Sequence, residues 1–144
     1  MVYVDTSVLV PLFLHEPHSG AAAEGYAREK RELVAAARRV PEFASALGIK
    51  QRTGAIGAQQ AQVAWQRSER MAAADLRLLA VAPANFLRTA ELVLDAASAL
   101  RVGDALHLAC AEAAGAKHMA SLDDVLSRNA QRLKIQLVAL RGAR

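Results

Sequence analysis

The chain has 144 residues, a formal net charge of +4 at pH 7, 53% hydrophobic and 22% charged residues, and one cysteine. That length and apolar content suffice for a folded domain with its own core and exclude a disordered chain. The lone Cys110 excludes an internal disulfide and the usual thiolate zinc clusters, while the basic balance suits an anionic partner such as nucleic acid.

The chain opens on Val2-Tyr3-Val4, a short β-prone run that ends at Asp5. Thr6-Ser7 offers an N-cap for a helix through about Leu14, with Pro11 near its first turn. The apolar run Val8–Leu14 follows an acid instead of a basic segment and stops at His15-Glu16. It is neither a signal peptide nor a membrane span, which needs about 20 apolar residues. A cytoplasmic protein with no membrane contact is expected.

Pro17 breaks the pattern, and a helix resumes through Ala21–Glu24 to about Arg31. Leu33–Ala36 reads as a second strand. Glu42 to Arg52 reads as a helix with Phe43, Ala46, Leu47 and Ile49 on its apolar positions. Gly54 and Gly57 punctuate before a helix over Ala58–Ala74. Leu78–Ala82, bounded by Pro83, has the continuous apolar character of a strand buried on both faces. A helix over Ala84–Ala99 follows, and Gly103 introduces another over Asp104–Ala114, closed by Gly115. His118–Leu122 is expected as a strand, Asp124–Arg132 as a short helix and Ile135–Leu140 as a last strand.

Strands and helices alternate, with connections too long for hairpins. This predicts an α/β fold: a three-layer α/β/α sandwich around a central, mainly parallel sheet, as a single domain over residues 1–144. Neither an internal repeat nor a linker divides it.

In such sheets ligands bind beyond the carboxyl ends of the strands, near the point where strand order reverses. Asp5 and Asp123 follow strands, whereas Glu42 and Asp104 stand near helix starts, so all four belong to the same edge. Each alone passes for a helix cap or a first-turn acid favoured by the helix dipole. Gathered in one cleft, they would need a counter-charge, since like charges raise one another's pKa. Oxygen donors suit Mg²⁺ or Mn²⁺ better than zinc. An acidic centre with a basic rim describes a phosphodiesterase.

Four segments carry a family resemblance. Val4-Asp5-Thr6-Ser7-Val8-Leu9 resembles the opening motif of PIN domains, and Gly103-Asp104-Ala105-Leu106-His107-Leu108-Ala109 their central signature. Pro41-Glu42-Phe43-Ala44-Ser45-Ala46-Leu47 is similar to the segment with their glutamate, and Ser121-Leu122-Asp123 to their third acidic motif. Size and lack of extensions look most like VapC, the toxin of VapBC toxin–antitoxin pairs. The resemblance implies a Mg²⁺- or Mn²⁺-dependent endoribonuclease that cuts RNA, forms a homodimer and is held inactive by a VapB-like antitoxin. It also implies that Asp5, Glu42, Asp104 and Asp123 are the catalytic, metal-binding acids, with Ser7 and Ser121 orienting carboxylates or a metal-bound water.

The chain departs from the family pattern in three places. Ala37 stands where Ser or Thr is usual, with Arg38 and Arg39 beside it, and Ser121 replaces Thr or Asn. Asp124 adjoins Asp123, although the spacing to Asn129-Ala130 favours Asp123.

Other features have plainer readings. His15 and His18 lack a third ligand; His107 shares the Asp104 face and is expected as a packed or hydrogen-bonded residue before a catalytic base. Trp65 is expected in packing, Cys110 in inert core, and Asp75 and Asp95 on the surface. Lys30-Arg31 and Arg38-Arg39 are solvated faces, or they steer RNA if they flank Glu42. The competing functions are a non-catalytic PIN-like module that binds RNA or a partner, and a phosphatase on a related scaffold. The latter would want an acid where Ser7 stands, and no GxGxxG or P-loop supports nucleotide binding.

Overall fold

In the computed structural model, which describes residues 1–140, strand β1 (Val2–Val4) is buried along its whole length. It lies at the centre of a five-stranded sheet with β2 (Leu33–Ala36), β3 (Leu76–Leu79), β4 (His118–Ala120) and β5 (Gln136–Leu137), in the order β3-β2-β1-β4-β5. Every pairing is parallel. The sheet is therefore wholly parallel, where the sequence pattern asks only for a mainly parallel one.

Alternation along the strands sets the two cores. Val2 and Val4 face a cluster with Val8, Leu9, Phe43, Leu47 and Ala64. Those residues come from β1 and helices α1 (Thr6–Phe13), α3 (Arg39–Arg52) and α4 (Ala58–Asp75). Helix α2 (Ser19–Arg28) adds Ala22 to the same layer. Tyr3 points the other way, into a cluster with Val34, Leu106, Leu108, Met119 and Leu126. There the cover is α5 (Pro83–Leu94), α6 (Val102–Ala113) and α7 (Asp124–Arg132). The result is the expected α/β/α sandwich.

Several boundaries moved for identifiable reasons. The third strand spans Leu76–Leu79 and forms an edge, with Leu78 42% exposed. The expected Leu78–Ala82 run is not buried on both faces. Its partner β2 ends at Ala36, opposite Leu79, so Ala80–Ala82 have no strand to pair with. The last strand shortens to Gln136–Leu137 because β4 offers only three residues to pair with. The helix expected over Ala84–Ala99 stops at Leu94, where Asp95 caps a short 3-10 turn (Ala96–Ser98) by accepting from Ala97 N at 3.2 Å. Helix α1 is capped by Asp5, not by Thr6 or Ser7, and Pro11 lies well inside it. Helix α2 covers Ser19–Arg28 instead of reaching Arg31. Helix α3 starts at Arg39, which places Glu42 within its first turn and not at its first residue.

The chain leaves β1 for β2 and β3 on one side and crosses back to β4 and β5 on the other. The reversal falls between β1 and β4, the place where parallel sheets of this kind bind ligands beyond the strands' carboxyl ends.

Phe43 is fully buried, edge-on to Phe13 at 5.9 Å and stacked on Trp65 at 6.3 Å between ring centroids. Trp65 is thus a packing residue, as expected. Phe43→Ala should cost about 3–5 kcal/mol of stability in chemical denaturation, because the three aromatic rings fill one layer of the core.

Candidate active site

Asp5 leaves β1 in extended conformation and is only 4% exposed. A buried carboxylate must be hydrogen-bonded. Its Oδ2 accepts from Ser7 Oγ at 2.5 Å, Ser121 Oγ at 3.0 Å and the Ser7 backbone N–H at 3.4 Å. The two serines reach onward as well. Ser7 Oγ accepts from Leu122 N at 2.9 Å, and Ser121 Oγ accepts from Asp123 N at 3.1 Å. The segment after β4 is therefore tied to the end of β1 through two hydroxyls. Asp5 Oδ1 has a different neighbour, His107 Nε2 at 3.8 Å.

Asp123 caps α7 by accepting from Leu126 N at 2.8 Å, so the plain cap reading of this residue is correct as far as it goes. Its charge also acts on Asp104, in the first turn of α6. Burial pushes the Asp104 carboxyl above the ordinary aspartate value; the charges of Asp123 and Asp5 push it further, against His107 and Arg101. Three of the four acids are thus electrostatic neighbours at the carboxyl edge of the sheet.

Glu42 joins from α3. Its Oε1 meets His107 Nε2 at 2.6 Å and accepts from Thr6 Oγ1 at 3.3 Å, while Oε2 lies 3.5 Å from Arg38 Nε. Burial raises the Glu42 carboxyl, but the His107 bond and the charges of His107 and Arg38 outweigh it and leave it below its usual value. For His107 burial works downward, and the Glu42 bond with the charges of Asp5 and Glu42 brings the imidazole above its usual value. His107 is 1% exposed and bonded at both nitrogens, the second to the Tyr3 phenol at 2.6 Å. It is the hydrogen-bonded residue that was expected. Its link to Tyr3, 104 residues away, has no local signal in the sequence.

The basic residues divide. Arg38 lies over Gly103, where an added Cβ would come within 2.8 Å of Arg38 Nη2, so the bare glycine lets the guanidinium approach the start of α6. Arg39 is not solvated: it is fully buried and reaches Glu69 at 3.3 Å. Lys30 and Arg31 precede β2, at the amino end of the strands, so they do not flank Glu42; Arg31 pairs with Glu29. Cys110 is buried, and burial raises its thiol, in line with an inert core residue. Thr6 and Arg101 are site neighbours that the motif reading did not single out.

Among the described residues no three His, Cys, Asp or Glu side chains stand together closely enough to hold a metal ion as placed. The donor chemistry nevertheless fits a hard cation. Asp5, Asp104 and Asp123 offer oxygens alone, and Asp104, raised first by burial and then by the charges of Asp123 and Asp5, stands among negative charge that a divalent cation would balance.

A PIN-domain family model matches residues 2–132, and the chain belongs to that family. No curated protein matches it by sequence. Among solved structures it is similar to the Mycobacterium tuberculosis toxin VapC20, which is described as cleaving the sarcin–ricin loop. That similarity has a TM-score of 0.72 and 18% identity, over 90% of this chain and 95% of the other. It is also similar to VapBC2 of Rickettsia felis, solved on a DNA fragment from its promoter, with a TM-score of 0.64 and 13% identity over 96% and 98% of the two chains. At such identities these likenesses speak for the fold.

Because the folded protein holds the Asp104 proton more tightly than the unfolded chain does, this group's contribution to stability declines as pH rises from the unfolded value towards the folded one. Carboxyl ¹³C titration of the metal-free protein should place Asp104 above the ordinary aspartate value, and Asp123→Asn should lower it in part, leaving the share due to burial. A midpoint unchanged by Asp123→Asn would show that the two charges do not interact.

Proposed function

We propose that the chain is a metal-dependent endoribonuclease that hydrolyses RNA phosphodiester bonds, the VapC-type toxin of a toxin–antitoxin pair. The observation that carries this reading is the mutual charge of Asp104, Asp123 and Asp5 at the topological switch of a PIN fold. Asp5, Glu42, Asp104 and Asp123 would hold Mg²⁺ or Mn²⁺. Such an ion, when bound, lowers the pKa of a water and neutralises charge developing on a phosphate.

The chain's own residues do the positioning. Ser7 and Ser121 fix Asp5 through Oδ2 and leave Oδ1 for the cleft. Arg38, beside Glu42, and Arg101, whose charge acts on Asp104, suit the phosphate backbone of RNA. With aromatics at only 4% of the chain, target choice falls to RNA shape and polar contacts more than to base stacking. The two VapC-containing structural neighbours support a VapB-like antitoxin as partner, and a homodimer belongs to the same proposal. No helix among the described residues is long and apolar enough to cross a membrane; a single PIN domain acting in the cytoplasm completes the proposal.

The purified protein should cleave RNA with Mg²⁺ or Mn²⁺ and stop when EDTA is added. Asp5→Ala and Asp104→Ala should each abolish cleavage with the circular dichroism spectrum unchanged. Full activity in Asp104→Ala would contradict the mechanism, and RNA binding without cleavage in the wild type would favour a binding module. Ser121→Ala should weaken metal affinity or activity roughly 10–100-fold, since it frees one side of Asp5; isothermal titration with Mn²⁺ and initial rates on RNA check this.

A further inference from the structure

Each nitrogen of the His107 ring has one close partner. Nδ1 faces the Tyr3 phenol at 2.6 Å, and Nε2 faces Glu42 Oε1 at 2.6 Å. The Tyr3 oxygen also accepts from the Ala36 backbone N–H at 3.1 Å. Side chains from β1 and α3 and a backbone group of β2 therefore fix the angle of a ring on α6, and the ring is 1% exposed.

Counting hydrogens gives the ring a direction. An ionised Glu42 carboxylate can only accept at Oε1, so Nε2 carries a hydrogen, and in the neutral ring Nδ1 accepts from the Tyr3 phenol. The ring hydrogen then sits on Nε2 and points at Glu42. A second ring proton would go to Nδ1 and leave the Nε2 hydrogen in place, so the bond to Glu42 is common to both protonation states. Glu42 Oε1 is further engaged by Thr6 Oγ1. Oε2 looks the other way, toward the partly exposed Arg38 guanidinium at 3.5 Å.

Resting on the metal-dependent reading of the four acids, we propose that Tyr3 and His107 are positioning residues that anchor Glu42 through Oε1 to the helix that carries Asp104. The anchor also explains the place of the histidine in the chain. One turn beyond Asp104 on α6, it ties the Glu42 carboxylate to the helix that carries Asp104 and keeps two acids from different helices in register.

The probe is Mn²⁺ alone, titrated by calorimetry into wild type, His107→Leu, His107→Gln and Tyr3→Phe, with the thermal midpoint of each protein measured in parallel. His107→Leu should weaken Mn²⁺ binding roughly 10–100-fold, as expected on losing a group that holds a metal ligand. Tyr3→Phe should weaken it less, and His107→Gln, whose amide can donate to Glu42, should recover part of the loss. Tyr3→Phe added to His107→Leu should cost nothing further in affinity, because the phenol acts only through the ring.

A purely structural role would lower the thermal midpoints and leave Mn²⁺ affinity at the wild-type value, which overturns the proposal. If His107→Leu does not fold, Tyr3→Phe decides in the same way. Imidazole ¹⁵N spectra of the metal-free protein give a second readout: hydrogen on Nε2 supports the anchor, and a bare Nε2 overturns it without touching the ribonuclease reading. A wild type that neither binds Mn²⁺ nor cleaves RNA would remove both.

Discussion

Asp5 is a carboxylate at the end of a buried central strand, and a charge in that position persists only if its oxygens are satisfied. Two serine hydroxyls and a backbone N–H meet the need at one oxygen. The consequences extend past Asp5. The same hydroxyls accept from Leu122 N and Asp123 N, so the groups that satisfy Asp5 also place the segment carrying Asp123. β1 and β4 are neighbours in the sheet, and their carboxyl ends are joined by these bonds. Ser7 and Ser121 are small enough to fit between them and polar enough to serve both sides.

The charge at this edge is only partly balanced by the protein. Glu42 is satisfied: His107, Thr6 and Arg38 surround it, and its carboxyl falls below the usual value. Asp104 is not, and burial together with Asp123 and Asp5 drives it upward. An excess of negative charge with oxygen donors, set beside guanidinium groups, is the electrostatic pattern that the proposed cation-assisted cleavage of a phosphodiester would use. The asymmetry divides the labour among the acids. Glu42 arrives already held, while Asp104 is the one that stands to gain most from an added positive charge.

Much of this was legible in the sequence because the relevant physics is local. Three apolar residues followed by Asp5, and Met119-Ala120 followed closely by Asp123, mark acids at strand ends, and the alternation of elements makes those ends share an edge. What could not be read depended on strand order or on contacts across the chain. Leu78 looks like core until β3 proves to be an edge strand. Ile135–Leu140 looks like a longer strand until its partner β4 proves to be three residues long. Arg39 looks solvated beside Arg38, yet one turns into the protein toward Glu69 and the other lies over Gly103. Tyr3 gives no sign in its own neighbourhood that its phenol serves His107. Position along an element is a local property, whereas burial and pairing are properties of the whole fold.

The central claim is that these acids form one cation site. Anomalous diffraction from crystals soaked in Mn²⁺ tests it most directly. The account predicts a manganese peak at the carboxyl end of β1 and β4, within bonding distance of oxygens of Asp5 and Asp104. A peak elsewhere, or a well-ordered carboxylate cluster without one at saturating Mn²⁺, would contradict it.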